Sequence, residues 1–130
     1  MTSDFTVIVP TYNRRNYLGL ALKSALDQTV KDFEIIVVDD GSTDGSVTMV
    51  EQMQKEDSRL RILSHDKNEG PSRARNTGIQ DCSSKYVTFL DSDDLFARER
   101  IEHLRSRLES GQGQSVVYSD TIPLRAEQLN

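Results

Sequence analysis

The chain has no tryptophan, one cysteine, three prolines and two histidines among its 130 residues. A lone thiol, Cys82, closes no internal disulfide, so the fold must rest on its own core, and a reducing compartment is expected. One cysteine with His65 and His103 makes no zinc set of ordinary spacing, and both histidines read as surface residues without a role. Long apolar runs are missing. Nothing approaches the roughly 20 residues that a membrane span requires. The run Phe5-Thr6-Val7-Ile8-Val9, closed by Pro10, is too short for the apolar region of a signal peptide. Basic charge is also scarce: 16 Lys and Arg against 21 Asp and Glu leave a net charge of -5, which argues against nucleic-acid binding. What basic charge exists is local. Arg14-Arg15, Arg73 with Arg75, and Arg98 with Arg100 form spots suited to an anionic ligand. A cytoplasmic location is expected, at the cytoplasmic face of a membrane if a longer parent chain carries an anchor.

What is present is an alternation of two periodicities. Residues 5–9 read as a strand stopped by proline. Leu18, Ala21, Leu22, Ala25 and Leu26 fall at helical spacing and predict an amphipathic helix over 16–27. Residues 33–38 are nearly all apolar, as a strand buried on both faces should be. A turn with N-cap candidates follows at 41–45, and Val47, Val50 and Met53 mark one face of a second helix. A short strand at 60–63, a loop ending in the cap candidate Ser72, and a helix to about residue 79 come next. Residues 85–90 predict a buried strand, Ile101, Leu104 and Leu108 a helix, and 115–118 a last strand. Strand and helix in turn predict a single α/β domain over 1–130, with a mostly parallel sheet and helices on both faces. In such sheets ligands sit beyond the carboxyl ends of the strands.

The residues with chemistry fall at those ends. Asp91, Asp93 and Asp94 stand within four residues of one another, where the strand at 85–90 stops. Like charges this close raise one another's proton affinity unless a cation intervenes. They are a natural seat for Mg²⁺ or Mn²⁺, which take hard oxygen ligands and share them with phosphates. A carboxylate about 4 Å from a phosphate oxygen costs on the order of 4 kcal/mol at an effective dielectric of 20, so such acids face a diphosphate through a metal. The plainer reading is a polar turn in which Asp93 or Asp94 caps the following helix. Asp39 and Asp40 close the strand at 33–38. They suit a base N–H or a ribose hydroxyl, against the plainer reading of an Asx turn. Asp40, Ser42, Asp44, Gly45 and Glu51 also match the spacing of an EF-hand loop, but the β-branched run before them is no helix. After the first strand come Pro10, Thr11 and Tyr12, and Tyr12 offers a flat face for stacking a base. Arg75, behind a glycine-containing loop, suits a diphosphate, with Asn76 beside it.

Four ordered blocks carry a resemblance. They are Val7-Ile8-Val9-Pro10-Thr11-Tyr12-Asn13; Glu34-Ile35-Ile36-Val37-Val38-Asp39-Asp40-Gly41-Ser42-Thr43-Asp44; Asn68-Glu69-Gly70 with Ala74-Arg75-Asn76-Thr77-Gly78; and Phe89-Leu90-Asp91-Ser92-Asp93-Asp94. Together they span most of residues 5 to 120, and the chain resembles family 2 glycosyltransferases of the GT-A fold. The resemblance implies a Rossmann-like nucleotide-binding half, a nucleotide-sugar donor, most often a UDP-sugar, and Mg²⁺ or Mn²⁺. It implies that Pro10, Thr11 and Tyr12 line the base pocket, that Asp40 with Asp39 holds the base or ribose, and that Asp93 lies near the ribose. Asp94 would hold the metal, with Asp93 and Asp91 as further candidate ligands, and Arg75 and Asn76 would lie near the donor. The implied reaction is transfer of the sugar with inversion to an acceptor hydroxyl of unknown kind. The family's acceptor-binding part and base carboxylate normally lie beyond the strand ending here near Tyr118, and Asp120 falls too early to be that base. The donor-binding part of a larger enzyme is therefore expected. The alternative is a non-catalytic nucleotide- or sugar-binding module or an inactive fragment. A phospho-aspartyl enzyme fits poorly, because the first strand ends in Pro-Thr-Tyr-Asn rather than in acids.

Overall fold

The computed structural model describes residues 4–111; the strand expected over 115–118, and Asp120, lie outside the described residues. Eight elements alternate: β1 (Phe5–Thr11), α1 (Arg15–Leu26), β2 (Phe33–Asp39), α2 (Ser46–Glu56), β3 (Leu60–Ser64), α3 (Pro71–Asp81), β4 (Tyr86–Phe89) and α4 (Arg100–Ser110). The strands form one sheet in the order β3-β2-β1-β4, and all three ladders are parallel.

The sheet's two faces follow from the two-residue period of its strands. Val7, Val9, Ile35 and Val37 meet Leu18, Ala21, Leu22 and Ala25 of α1, Val50 of α2, and Ile101 and Leu104 of α4. The alternate residues Ile8, Ile36 and Val38 meet Ala74 of α3 on the other face. Right-handed crossovers explain the division. From β1 through β3 the chain steps one way across the sheet, so α1 and α2 share a face. From β3 to β4 it steps back over β1, which sends α3 to the opposite side. The reversal leaves a switch point beside the carboxyl end of β1, the place where such sheets hold ligands.

Two local expectations need correction. β4 is not a buried strand: Tyr86, Val87 and Thr88 are half-buried and Phe89 is 40% exposed. Among the described residues β4 pairs only with β1, so one of its edges has no ladder. Ser72 does not cap α3. The helix starts one residue earlier at Pro71, whose missing N–H costs nothing in a first turn, and Gly70 precedes it.

One buried polar side chain fixes α4 to α1. Gln28 is fully buried; its Nε2 donates to the carbonyls of Ser24 (3.1 Å) and Ala97 (2.8 Å), and its Oε1 accepts from the N–H of Ile101 (3.0 Å). The last bond serves an N–H of the first turn of α4 that has no partner within the helix. Gln28→Leu is expected to strand the Ile101 N–H and the Ser24 carbonyl, while the Ala97 carbonyl keeps the N–H of Arg100 (3.1 Å), and to lower stability by about 2–4 kcal/mol. Urea unfolding checks this: the midpoint should fall with the slope unchanged.

Candidate functional site

The loops at the carboxyl edge enclose a cleft of about 310 Å³ at the switch point. The β1 end contributes Pro10, Thr11, Tyr12 and Arg14; β2 contributes Asp40; the loop before α3 and its first turns contribute Asn68, Pro71, Ala74 and Arg75; the β4 end contributes Asp91, Ser92 and Asp93. Parallel register alone brings the first two groups together, since Thr11 pairs with Asp39 across β1 and β2. Tyr12 stands 46% exposed with its ring free for a ligand to cover.

The first two loops are stitched by side chains. Asn13, at φ 50, donates its N–H to Ser42 Oγ (2.9 Å) and accepts from the N–H of Thr43 through Oδ1 (2.8 Å). Asp44 serves two helices at once. Its Oδ2 accepts from the N–H of Arg15, which starts α1, and its Oδ1 from the N–H of Ser46, which starts α2. Burial pushes the Asp44 carboxyl up, but these bonds and that from the Ser46 hydroxyl outweigh it and hold it below its ordinary value. Tyr12 thus sits on a loop tied at both ends.

Asp39 and Asp40 part company. Asp39 is buried and turned inward, its Oδ2 accepting from the N–H of Ser42 at 2.9 Å, so for this residue the Asx-turn reading holds and it does not line the cleft. Its Oδ1 and the hydroxyl of Thr11 are buried polar atoms without a partner among the described residues. Asp40 lies on the cleft and is heavily engaged. Its Oδ1 takes the N–H of Glu69 and Nδ1 of His65, and its Oδ2 takes the N–H of Gly70, each at 2.8 Å. Burial pushes this carboxyl up, yet the bonds from His65, Glu69 and Gly70 together hold it below its ordinary value. The EF-hand spacing is a coincidence of sequence: β2 precedes it, Asp40 is bound to the 65–70 loop, and Asp44 to the start of α1.

The acidic turn after β4 caps no helix. α4 begins only at Arg100, and the turn closes on itself through the Asp94 N–H and the Asp91 carbonyl (3.0 Å). Asp91 Oδ1 meets Arg75 Nη2 at 2.9 Å, so the arginine is on the cleft, already paired with an acid. Asp94 sits just beyond the lining, and its carboxyl is raised by burial and then by Asp93 and Asp91. Among the described residues no three acid, histidine or cysteine side chains converge as a metal cage. Asn76 is not brought to the cleft. It faces a second, more polar hollow of about 370 Å³ with His65, Glu69, Arg73, Thr77 and Gln80. The roughly 100° between successive residues of a helix sends Arg75 and Asn76 to different sides.

Sequence reasoning placed His65 at the surface; the structure buries its side chain to 10% exposure between Asp40 and Thr77. The signal was its position. It stands one residue past the end of β3, as Asp40 does past β2.

A four-stranded parallel sheet wound in two directions, with its cleft at the switch point, is the Rossmann-like α/β architecture of GT-A glycosyltransferases. The chain belongs to that group's family 2: residues 6–122 match the family described as Glycosyl transferase family 2. A glycosyltransferase of Rickettsia conorii is 50% identical over 100 residues, 77% of this chain and 16% of the relative. Among solved structures, Staphylococcus aureus TarS 1-349 in complex with UDP-GlcNAc superposes with a TM-score of 0.77 at 30% identity, covering 92% of this chain and 38% of that one. The Pyrobaculum calidifontis mannosyltransferase PcManGT in complex with GDP-Man and Mn²⁺ gives 0.71 at 28% identity, covering 78% of this chain and 31% of that one. The chain thus spans less than two fifths of the length of each of these three proteins.

Proposed function

We propose that the chain is the donor-binding part of a metal-dependent, inverting glycosyltransferase, and that its donor is a UDP-sugar. The observation that carries this is the cleft itself. It joins an exposed aromatic face, Tyr12, and a fixed carboxylate, Asp40, to an arginine and an acidic turn at the far wall. Tyr12 stacks the base. Asp40 selects it by count: an ionised carboxylate offers about four acceptor positions, and protein donors fill three. The one left takes a ring N–H, which uracil carries at the position where cytosine has an acceptor.

The acidic turn suits Mg²⁺ or Mn²⁺ in the manner those ions prefer, through one or two carboxylates completed by phosphate oxygens rather than by an all-protein cage. Asp94 would hold the ion, with Asp93 beside it. When bound, the ion supplies charge stabilisation to the departing diphosphate. The chain's own residues bind and orient: Asp40 and Tyr12 fix the nucleoside, and Arg75 with Arg14 offers positive charge near the phosphates. Transfer then needs an acceptor hydroxyl and a base, which we assign to no described residue. A cytoplasmic site of action is part of the proposal, since sugar nucleotides are made there; no helix among the described residues is long and apolar enough to cross a membrane.

Calorimetric titration tests the reading. UDP with Mn²⁺ should bind at least tenfold more tightly than CDP with Mn²⁺ or UDP with chelator, a difference of about 1.4 kcal/mol. Equal affinity for UDP and CDP would remove Asp40 from the base, and indifference to the metal would remove the acidic turn. Binding without release of nucleoside diphosphate from the donor would favour a binding module over a complete enzyme.

A further inference from the structure

His65 has no part in the scheme above, yet it is packed behind the carboxylate on which base selection depends. Its Nδ1 lies 2.8 Å from Asp40 Oδ1 and its Nε2 2.8 Å from Thr77 Oγ1 on α3. Its backbone N–H donates to the Asp39 carbonyl at 2.8 Å, so main chain and ring are both held. The ring lines the second hollow and not the cleft, which puts it out of reach of a ligand seated there.

The donor count fixes which nitrogen does what. An ionised carboxylate only accepts, so the proton between His65 and Asp40 sits on Nδ1. The Thr77 hydroxyl has one proton and two neighbours, Nε2 and the Arg73 carbonyl at 3.0 Å. It donates to the carbonyl and accepts from a protonated Nε2, or it donates to a bare Nε2. In both arrangements Nδ1–H stays on Asp40. The other charged group facing the ring is Glu69, whose Oε2 is 3.4 Å from Nδ1 and whose Oε1 is 3.8 Å from Arg73 Nε.

We infer that His65 is a positioning residue for the nucleobase: it holds the Asp40 carboxylate in the one orientation that leaves a single acceptor position toward the cleft. The inference rests on the donor-binding reading of that cleft. Without the ring, Asp40 keeps its bonds from the N–H groups of Glu69 and Gly70, so the loop stays in place. What is lost is the third constraint. The carboxylate gains a second free acceptor position and freedom to turn, and the discrimination it exerts falls.

Two substitutions separate this from a packing role. An asparagine amide nitrogen takes roughly the place of Nδ1, and a glutamine amide nitrogen that of Nε2. His65→Asn therefore keeps the donor to Asp40, and His65→Gln keeps only the contact to Thr77. Calorimetry with UDP and CDP, each with Mn²⁺, should find His65→Asn within about threefold of the wild type for UDP. His65→Gln should be about tenfold weaker and its preference for UDP over CDP largely lost, the size expected for one bond to a charged group. Equal losses in both variants, or none in His65→Gln, overturn the inference. If the wild type binds UDP and neither variant changes, the cleft reading survives and the role of His65 does not; if the wild type binds neither nucleotide, the cleft reading itself falls and takes this with it. A readout that needs no variant is the long-range ¹H–¹⁵N spectrum of wild-type His65. A proton on Nδ1 is required, and a ring protonated on Nε2 alone overturns the inference.

Discussion

Asp94→Asn is expected to lose the Mn²⁺-dependent part of UDP binding, with an affinity about thirtyfold below the wild type's, and to keep the weak metal-independent part. Charge sets the difference among the three acids. Asp91 already faces the Arg75 guanidinium at 2.9 Å, whereas among the described residues neither Asp93 nor Asp94 has a salt-bridge partner. Asp94 has its carboxyl raised, by burial and by the two neighbouring acids. It is the residue for which a cation relieves most repulsion. A unit-charge pair at about 4 Å is worth on the order of 4 kcal/mol at an effective dielectric of 20, and exposure reduces this to about 2, or thirtyfold. Asp93→Asn should cost about tenfold. Asp91→Asn should cost threefold or less, because it frees Arg75 toward the diphosphate. Titrations with and without Mn²⁺ read the difference. If Asp94→Asn kept full Mn²⁺ dependence while Asp91→Asn lost it, the ion would belong at Asp91 and the assignment here would be wrong.

The elements were legible because each rests on a local pattern. The spacing of Leu18, Ala21, Leu22 and Ala25 gave α1 to within a residue at each end, since every one of them is fully buried. The nearly all-apolar run 33–38, interrupted only by Glu34, correctly marked a strand covered on both faces. The same logic failed on β4. Tyr86-Val87-Thr88-Phe89 has the composition of a buried strand, but burial depends on what lies beside and above it, and a sequence pattern does not report neighbours.

The site was legible as a set of strand ends and less so as side-chain directions. Pro10, Thr11, Tyr12, Asp40, Arg75, Asp91 and Asp93 all reach one cleft, from loops up to 83 residues apart (Pro10 to Asp93), because parallel strands put every carboxyl end on one edge. Asp39 and Asn76 were each assigned with a neighbour that does reach it. Adjacent residues at a strand end or on a helix point apart, so only one member of each pair arrives. His65 was missed for a different reason. A histidine has no pattern of its own, and its partners Asp40 and Thr77 lie 25 and 12 residues away.

Gly41→Ala should be the most damaging single-methyl addition in the loops, and Gly70→Ala its control. Both glycines have left-handed backbones, φ 86 and φ 98, where a side chain is strained by about 1–3 kcal/mol. Their surroundings differ. A Cβ on Gly41 would lie 2.9 Å from both the Asn68 nitrogen and the Lys67 carbonyl carbon, which are backbone and cannot swing aside; at Gly70 nothing lies within 4 Å. Relieving the clash means separating the loop after β2 from the loop before α3, at a further cost of about 1–3 kcal/mol. Urea unfolding should therefore show a loss of about 4 kcal/mol for Gly41→Ala and about 2 for Gly70→Ala. Binding should divide the same way. Asn68 lines the cleft and adjoins Glu69, whose N–H holds Asp40, so displacing it moves the base-selecting carboxylate. Gly70→Ala keeps its N–H on Asp40 and should leave UDP affinity within about threefold, as expected where that single bond persists. Equal losses of stability in the two variants would mean that the loops do not approach as closely as drawn, and the shape of the cleft would have to be redrawn with them.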